Sequence, residues 1–266
     1  MENNCLNCNH PITENFCGNC GQKKYKRIDR KYLIDEVQYL VVHTNKGFFY
    51  SLKNIIKNPG KTAKDFISGD RVNHYKPILL AFVVSGISAF LSFKILKLDV
   101  IMEQHMQQTY GNQIKDAMPW MHDMMSLLSA YSAAAMLLLI PLASIVTALV
   151  FKKWGDNYYE HVIMNTYILI YYTVVSIIVL FPILYLLNQI SSSFAVIFSI
   201  LSIFLIYPLI MILFYKQYYS QKSIGDIILK VLLALGIGFA IYMMIIFGMI
   251  INMVINHPEM LMPKKP

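Results

Sequence analysis

From Pro77 onward the chain is a succession of long apolar stretches, at 77–96, 124–151, 161–187, 193–215 and 227–254. Each reaches the roughly 20 residues of helix that a hydrocarbon core demands. Each is apolar around its whole circumference rather than along one stripe, which a single water-soluble core does not require. In lipid a backbone amide must be satisfied inside its own segment or in a closed barrel, so stretches of this length become helices. Only 14% of the residues are charged and 56% are hydrophobic, whereas soluble domains carry about 25% charge. The expected fold is an all-α polytopic membrane protein of about five transmembrane helices, with a small N-terminal zinc ribbon whose basis follows.

The charges set an expected orientation. Of 23 Lys+Arg, 13 fall in residues 1–76 beside seven acids, so that segment carries 13 − 7 = +6. Basic flanks stay cytoplasmic. Lys152 and Lys153, then Lys216 and Lys222, recur on that side. The connection over 98–123 holds Asp99, Glu103, Asp116 and Asp123 against one Lys115 and belongs outside. An odd number of spans then places the tail, 257–266, outside, where Lys264 and Lys265 are the one discord. The start, Met-Glu-Asn-Asn-Cys, lacks a basic region followed by an apolar one, so no cleavable signal is expected.

All four cysteines lie within residues 5–20, as Cys5-Leu-Asn-Cys8 and Cys17-Gly-Asn-Cys20. Paired CxxC motifs in a reducing compartment read as metal ligands. Zinc takes four donors in a tetrahedron, and four thiolates leave no open position, so the expected role is structural. A redox dithiol is the competing reading; such motifs normally occur singly on a βα unit. A module of this size has too little apolar surface to fold without the metal. We assign residues 1–27 to the ribbon. The basic run Lys23 to Lys31 that begins within it suits anionic headgroups beside a membrane, with nucleic-acid contact the weaker reading.

Residues 28–76 read as basic amphipathic juxtamembrane helices. Leu33, Ile34, Val37, Leu40 and Val41 recur at helical steps, and after Gly47 the pattern restarts with Phe48, Phe49, Leu52, Ile55 and Ile56. Such a segment lies in the interface or packs on the bundle; the sequence leaves both open. Asn58-Pro59-Gly60 interrupts it, and a short helix carrying Ala63, Phe66 and Ile67 ends near Ser68-Gly69. The polar knot Asp70, Arg71 and His74 then leads into the first span, as a helix-end anchor or a site.

Within the transmembrane domain, 77–256, Ala81, Ser85 and Ala89 repeat every four residues, as do Gly236 and Ala240, a spacing that lets helices approach closely. Pro141, Pro182 and Pro208 are expected to kink spans two, three and four or to lie near their ends. The third span is the most polar. Glu160 and His161 open it, and His161, Asn165 and Tyr172 share a face. Intramembrane ionisable residues are functional candidates, but these stand at a helix end, where anchoring also explains them.

The sequence contains no phosphate-binding loop, metalloprotease motif or nucleophile elbow, and no catalytic constellation is identified. An external group of His105 and His122 with Asp99, Glu103, Asp116 and Asp123 is irregularly spaced. The methionines crowding 102–125 read as packing rather than a Cu(I) surface.

The two knuckles, Cys5-Leu-Asn-Cys8-Asn-His and Phe16-Cys17-Gly-Asn-Cys20-Gly-Gln-Lys, together with Asn58-Pro-Gly60, Ser68-Gly-Asp-Arg-Val-Asn-His-Tyr-Lys-Pro77 and Tyr158-Tyr-Glu-His161, resemble a bacterial, Bacteroidota-type membrane family known only as domain of unknown function 3667. The tyrosine-rich exit of the fourth span is similar too. Asn9 stands where that family carries glycine. The resemblance implies a bacterial cytoplasmic (inner) membrane location and a zinc ribbon, and no activity.

Three functions fit these readings. The first is a non-enzymatic membrane protein whose ribbon (Cys5, Cys8, Cys17, Cys20) recruits or senses a protein partner while its helices contact lipid and homo-oligomerise. The second is a transporter or channel for a small solute or lipid, along His161 and Asn165. The third is a membrane enzyme using the external acidic loop.

Overall fold

The computed structural model describes residues 4, 5, 7–21, 47–71, 74–111 and 120–256. The chain divides into two units, Met1–Asn45 and Lys46–Pro266.

In the first unit an isolated antiparallel bridge, Asn4 to Pro11, closes a short hairpin. Its buried residues are Cys5, Ile12 and Cys17, with Cys8 packed against them. Amphipathic helix expected over 31–46 lies outside the described residues.

The second unit begins with α1, Gly47–Lys57, and α2, Pro59–Ile67. Asn58 caps α2: its side chain accepts from the Lys61 N–H, and Pro59 takes the first helical position, where its missing donor costs nothing. The spans follow. α3, Pro77–Phe90, runs into a π-turn, Leu91–Ile95. α4, Leu98–Tyr110, starts from Lys97 in a left-handed conformation. α5 is Trp120–Phe151 and ends in a 3₁₀ turn, Lys152–Trp154. α6, Tyr158–Val175, passes through a second π-turn, Ser176–Leu180, into α7, Phe181–Ile190. α8 is Ser192–Tyr218 and α9 is Ile224–Asn256.

Among the described residues five segments are long and apolar enough to cross a membrane: Pro77–Ile95, Ala130–Trp154, Tyr158–Ile190, Ser192–Tyr218 and Ile224–Gly248. This is an all-α multi-pass membrane protein. The third span is its centre, with 44% of its most apolar window buried, and the fifth is peripheral, with 11%. α6 supplies Met164, Tyr167, Ile168 and Ile170 to the core; α3 adds Leu80, Ala81 and Val84, and α8 adds Met211, Phe214 and Tyr215. Ile227 and Val231 bring α9 to the same core.

Two expectations change. The 98–123 connection contains a helix rather than a plain loop: α4 packs on α8, with the Ser192 hydroxyl donating to Gln108 Oε1 at 2.9 Å. Of the small-residue stripes, Ala81 and Ser85 are buried, whereas Gly236 and Ala240 are exposed and a Cβ on Gly236 would meet nothing within 4 Å. The close approach is at Gly60. There α2 crosses the end of α8, and a Cβ would collide with the Phe214 carbonyl oxygen and lie 2.8 Å from the Tyr218 nitrogen. The Gly60 N–H donates to Gln217 Oε1 at 3.0 Å.

α1 packs on the bundle along one face. Phe48, Ser51 and Ile55 are buried, the Ser51 hydroxyl accepting from the Tyr75 N–H at 2.7 Å, while Phe49 and Ile56 stay exposed.

Candidate functional site

In the first unit the two knuckles converge. The sulfurs of Cys5, Cys8, Cys17 and Cys20 all lie within 4.8 Å of one another, close enough to bind one metal ion. Two pairs between the motifs, Cys5 to Cys20 and Cys8 to Cys17, are each 3.5 Å apart; a disulfide needs about 2.05 Å. Each knuckle closes with a backbone bond, Asn9 N–H to the Cys5 carbonyl and Gly21 N–H to the Cys17 carbonyl, both 2.9 Å. Asn9 (φ 59°) and Gly21 (φ 72°) occupy equivalent left-handed positions. Asparagine is among the few side chains that visit this region routinely, so Asn9 does the work of a glycine. Backbone hydrogen bonding favours the thiolates. The largest contribution, from His10, helps hold the Cys8 thiol down to about 6, and a bond from Cys8 lowers Cys5.

In the second unit the sequence candidates separate into three places. Asp70 is exposed and held by its backbone, its N–H donating to the Asp65 carbonyl at 3.0 Å. Arg71 donates from Nε to the Phe66 carbonyl at 3.2 Å and lies 5.4 Å over the Phe66 ring. His74 meets Phe66 and Tyr50 edge-on. Arg71 and His74 thus both contact the Phe66 ring.

Glu160 and His161 are adjacent in sequence but part company. Glu160 completes a capping box with Asn157, accepting from its N–H at 2.7 Å while Asn157 accepts from the Glu160 N–H at 3.0 Å. His161 is fully buried, 6.1 Å from the Phe151 ring, and neither ring nitrogen has a hydrogen-bond partner among the described residues. Asn165, one turn on, has its Nδ2, with two hydrogens to donate, within reach of Thr147 at 2.8 Å, Ser144 at 3.2 Å and the His161 carbonyl at 2.9 Å. This cluster fastens α5 to α6. Tyr172 faces Tyr207 of α8 instead, ring to ring at 5.4 Å. Of the group expected to be external, His105 is engaged with Ser193 at 3.1 Å; Asp116 and the side chains of His122 and Asp123 lie outside the described residues.

Sequence reasoning missed Asp156. Its two oxygens accept from the hydroxyls of Tyr218 and Tyr219, at 2.8 and 2.7 Å. Burial, reinforced by that carboxylate, raises the Tyr219 hydroxyl well above its ordinary pKa, so it stays a donor. Tyr219 meets the Trp154 ring edge-on at 4.6 Å, and Phe151 stacks on Tyr215 at 4.3 Å. Lys230 of α9 donates to the Val150 carbonyl and lies 5.1 Å over Trp154. Beside this assembly opens a cleft of about 430 Å³. Its one sequence signal is the tyrosine-rich exit of the fourth span.

Residues 45–89 match the family described as protein of unknown function (DUF3667). The match runs through α1 and α2 into α3, and so includes the Gly60 crossing; it does not reach the cysteine cluster or the later spans. No curated protein and no solved structure matches the chain.

Proposed function

We propose that the chain is a non-enzymatic protein of the bacterial cytoplasmic membrane whose four N-terminal cysteines hold one structural zinc and present a small folded knob to a protein partner. The sulfur geometry carries this reading. A zinc with four thiolates at about 2.3 Å has tetrahedral edges of about 3.8 Å, and the observed separations of 3.5 to 4.8 Å bracket that edge. Sulfurs of both motifs lie together within 4.8 Å of one another, which suits a single metal rather than two independent dithiols. Four sulfurs fill the coordination shell, so the metal stabilises the module, which has Ile12 as its one buried aliphatic side chain among the described residues. On its surface Phe16 is exposed, an apolar contact for a partner.

The charges support a cytoplasmic assignment. The end of the bundle formed by α1, α2 and the 152–157 turn carries Lys53, Lys57, Lys61, Lys64, Lys76, Lys152 and Lys153. The opposite end carries Lys94 and Lys97 along with Asp99 and Glu103. With five spans the tail is then external.

Elemental analysis of the purified chain should give about one zinc per chain, and Cys17→Ser should lose it together with any co-purifying protein. Wild-type protein purified free of metal with its four thiols reduced, or reporter fusions placing Lys23 outside, would overturn the proposal. A solute path along spans two and three draws on the cluster around Asn165. That cluster joins neighbouring helices, which suits fastening; a liposome flux abolished by His161→Ala and Asn165→Ala would reverse this choice.

A further inference from the structure

The cleft beside Asp156 lies where spans two, three and four end. Trp154 closes the second span, Tyr158 opens the third and Tyr218 closes the fourth. That is headgroup depth, where aromatic and basic residues meet the polar part of a bilayer. Its volume, about 430 Å³, is within the range of small-ligand sites, roughly 300–1,000 Å³.

Its charges are of both signs. Lys64 of α2 and Lys222 of the turn before α9 stand on the rim, and Asp156 and Glu160 line the wall. Among the described residues neither lysine forms an ion pair with either carboxylate. Each carboxylate is held in place by the bonds described above, so both are fixed negative points. Two unpaired cations and two unpaired anions around one cleft match a zwitterion better than an anion, which the carboxylates would repel, or a cation, which the lysines would repel. The ammonium of the zwitterion needs N–H donors to use the carboxylates fully. The Trp154 ring, which would otherwise attract a quaternary ammonium, already has Lys222 at 5.5 Å and Lys230 at 5.1 Å.

We propose that this cleft binds a phosphoethanolamine-class lipid headgroup, its phosphate at Lys64 and Lys222 and its primary ammonium at Asp156 and Glu160. The inference does not depend on the zinc module.

The chain has two tryptophans, so Trp120→Phe leaves Trp154 as the sole indole reporter. Its fluorescence in the full-length protein in detergent is titrated with short-chain phosphatidylethanolamine, phosphatidylglycerol, phosphatidylcholine and soluble phosphoethanolamine. Phosphatidylethanolamine should bind about tenfold more tightly than either other lipid. Lys64→Gln with Lys222→Gln, both exposed, should weaken it about tenfold or more with an unchanged melting temperature. Glu160→Gln keeps an acceptor for the capping box and should erase the preference over phosphatidylglycerol. Equal affinity for the three lipids, or unaltered binding in these variants, overturns the proposal. Soluble phosphoethanolamine binding as tightly as the lipid makes this a solute site and overturns the lipid assignment.

Discussion

Replacing Gly60 by alanine adds one carbon where α2 crosses the end of α8. The new Cβ would overlap the Phe214 carbonyl oxygen and sit 2.7 Å from Gln217 Cβ and 2.8 Å from the Tyr218 nitrogen, where unbonded atoms are not found below about 3.0 Å. Two of the three obstacles are backbone of α8, so no rotamer change relieves them; α2 must move. Overpacking of this kind costs about 1–3 kcal/mol. The shift also stretches the Gly60–Gln217 hydrogen bond, worth about 1 kcal/mol. Against this stands the helix propensity of alanine, a gain of at most about 1 kcal/mol over glycine. The clash prevails, leaving a net loss of about 1–3 kcal/mol. For a chain of this size that is a fall in melting temperature of about 5 °C, measured by thermal unfolding in detergent. Gly86→Ala is the control: it is exposed on α3 with nothing within 4 Å of its Cβ, and it should melt at or slightly above the wild-type temperature. A Gly60→Ala protein that melts with the Gly86→Ala control would refute the close crossing and the reasoning built on it.

Asp156→Ala leaves the Tyr218 and Tyr219 hydroxyls without their acceptor and should cost about 2–4 kcal/mol by the same unfolding assay; Asp156→Asn, which keeps one carbonyl oxygen, should cost less. Asn165→Leu removes the bonds to Ser144 and Thr147. Hydrogen bonds between membrane helices average only about 0.6 kcal/mol, so the loss should be about 1 kcal/mol, and a much larger one would show that the cluster does more than fasten α5 to α6.

How much of this was legible depends on what fixed each feature. Bilayer thickness sets span length, so the five spans appear in the sequence as apolar stretches with ends within a few residues of the observed ones, apart from the start of the second and the end of the fifth. The knuckles were equally plain, because four cysteines at two short spacings have few other uses. The face shared by His161 and Asn165 was readable from helical geometry, but Ser144 and Thr147 lie a span away and carry no signal of their own. Asp156 was invisible for the same reason: its partners are more than 60 residues later, and an aspartate in a turn is unremarkable until tyrosines close over it. Gly60 read as a breaker beside Pro59, since nothing local shows that a second helix passes above it. The Gly236 stripe meets nothing of its own chain among the described residues; spacing reveals a smooth surface and not what lies on it.

The π-turn at Ser176–Leu180 inserts one extra residue into the third span. One residue of α-helix is about 100° of rotation, so the side chains beyond the insertion are turned by roughly that angle relative to those before it. Upstream, α6 aims Met164, Tyr167 and Ile168 toward the core it shares with α3; downstream, Leu184 of α7 joins Ala195 and Val196 of α8 in a second apolar cluster. The two halves of the span thus feed different apolar clusters. The extra residue lets one span change allegiance halfway across the bilayer.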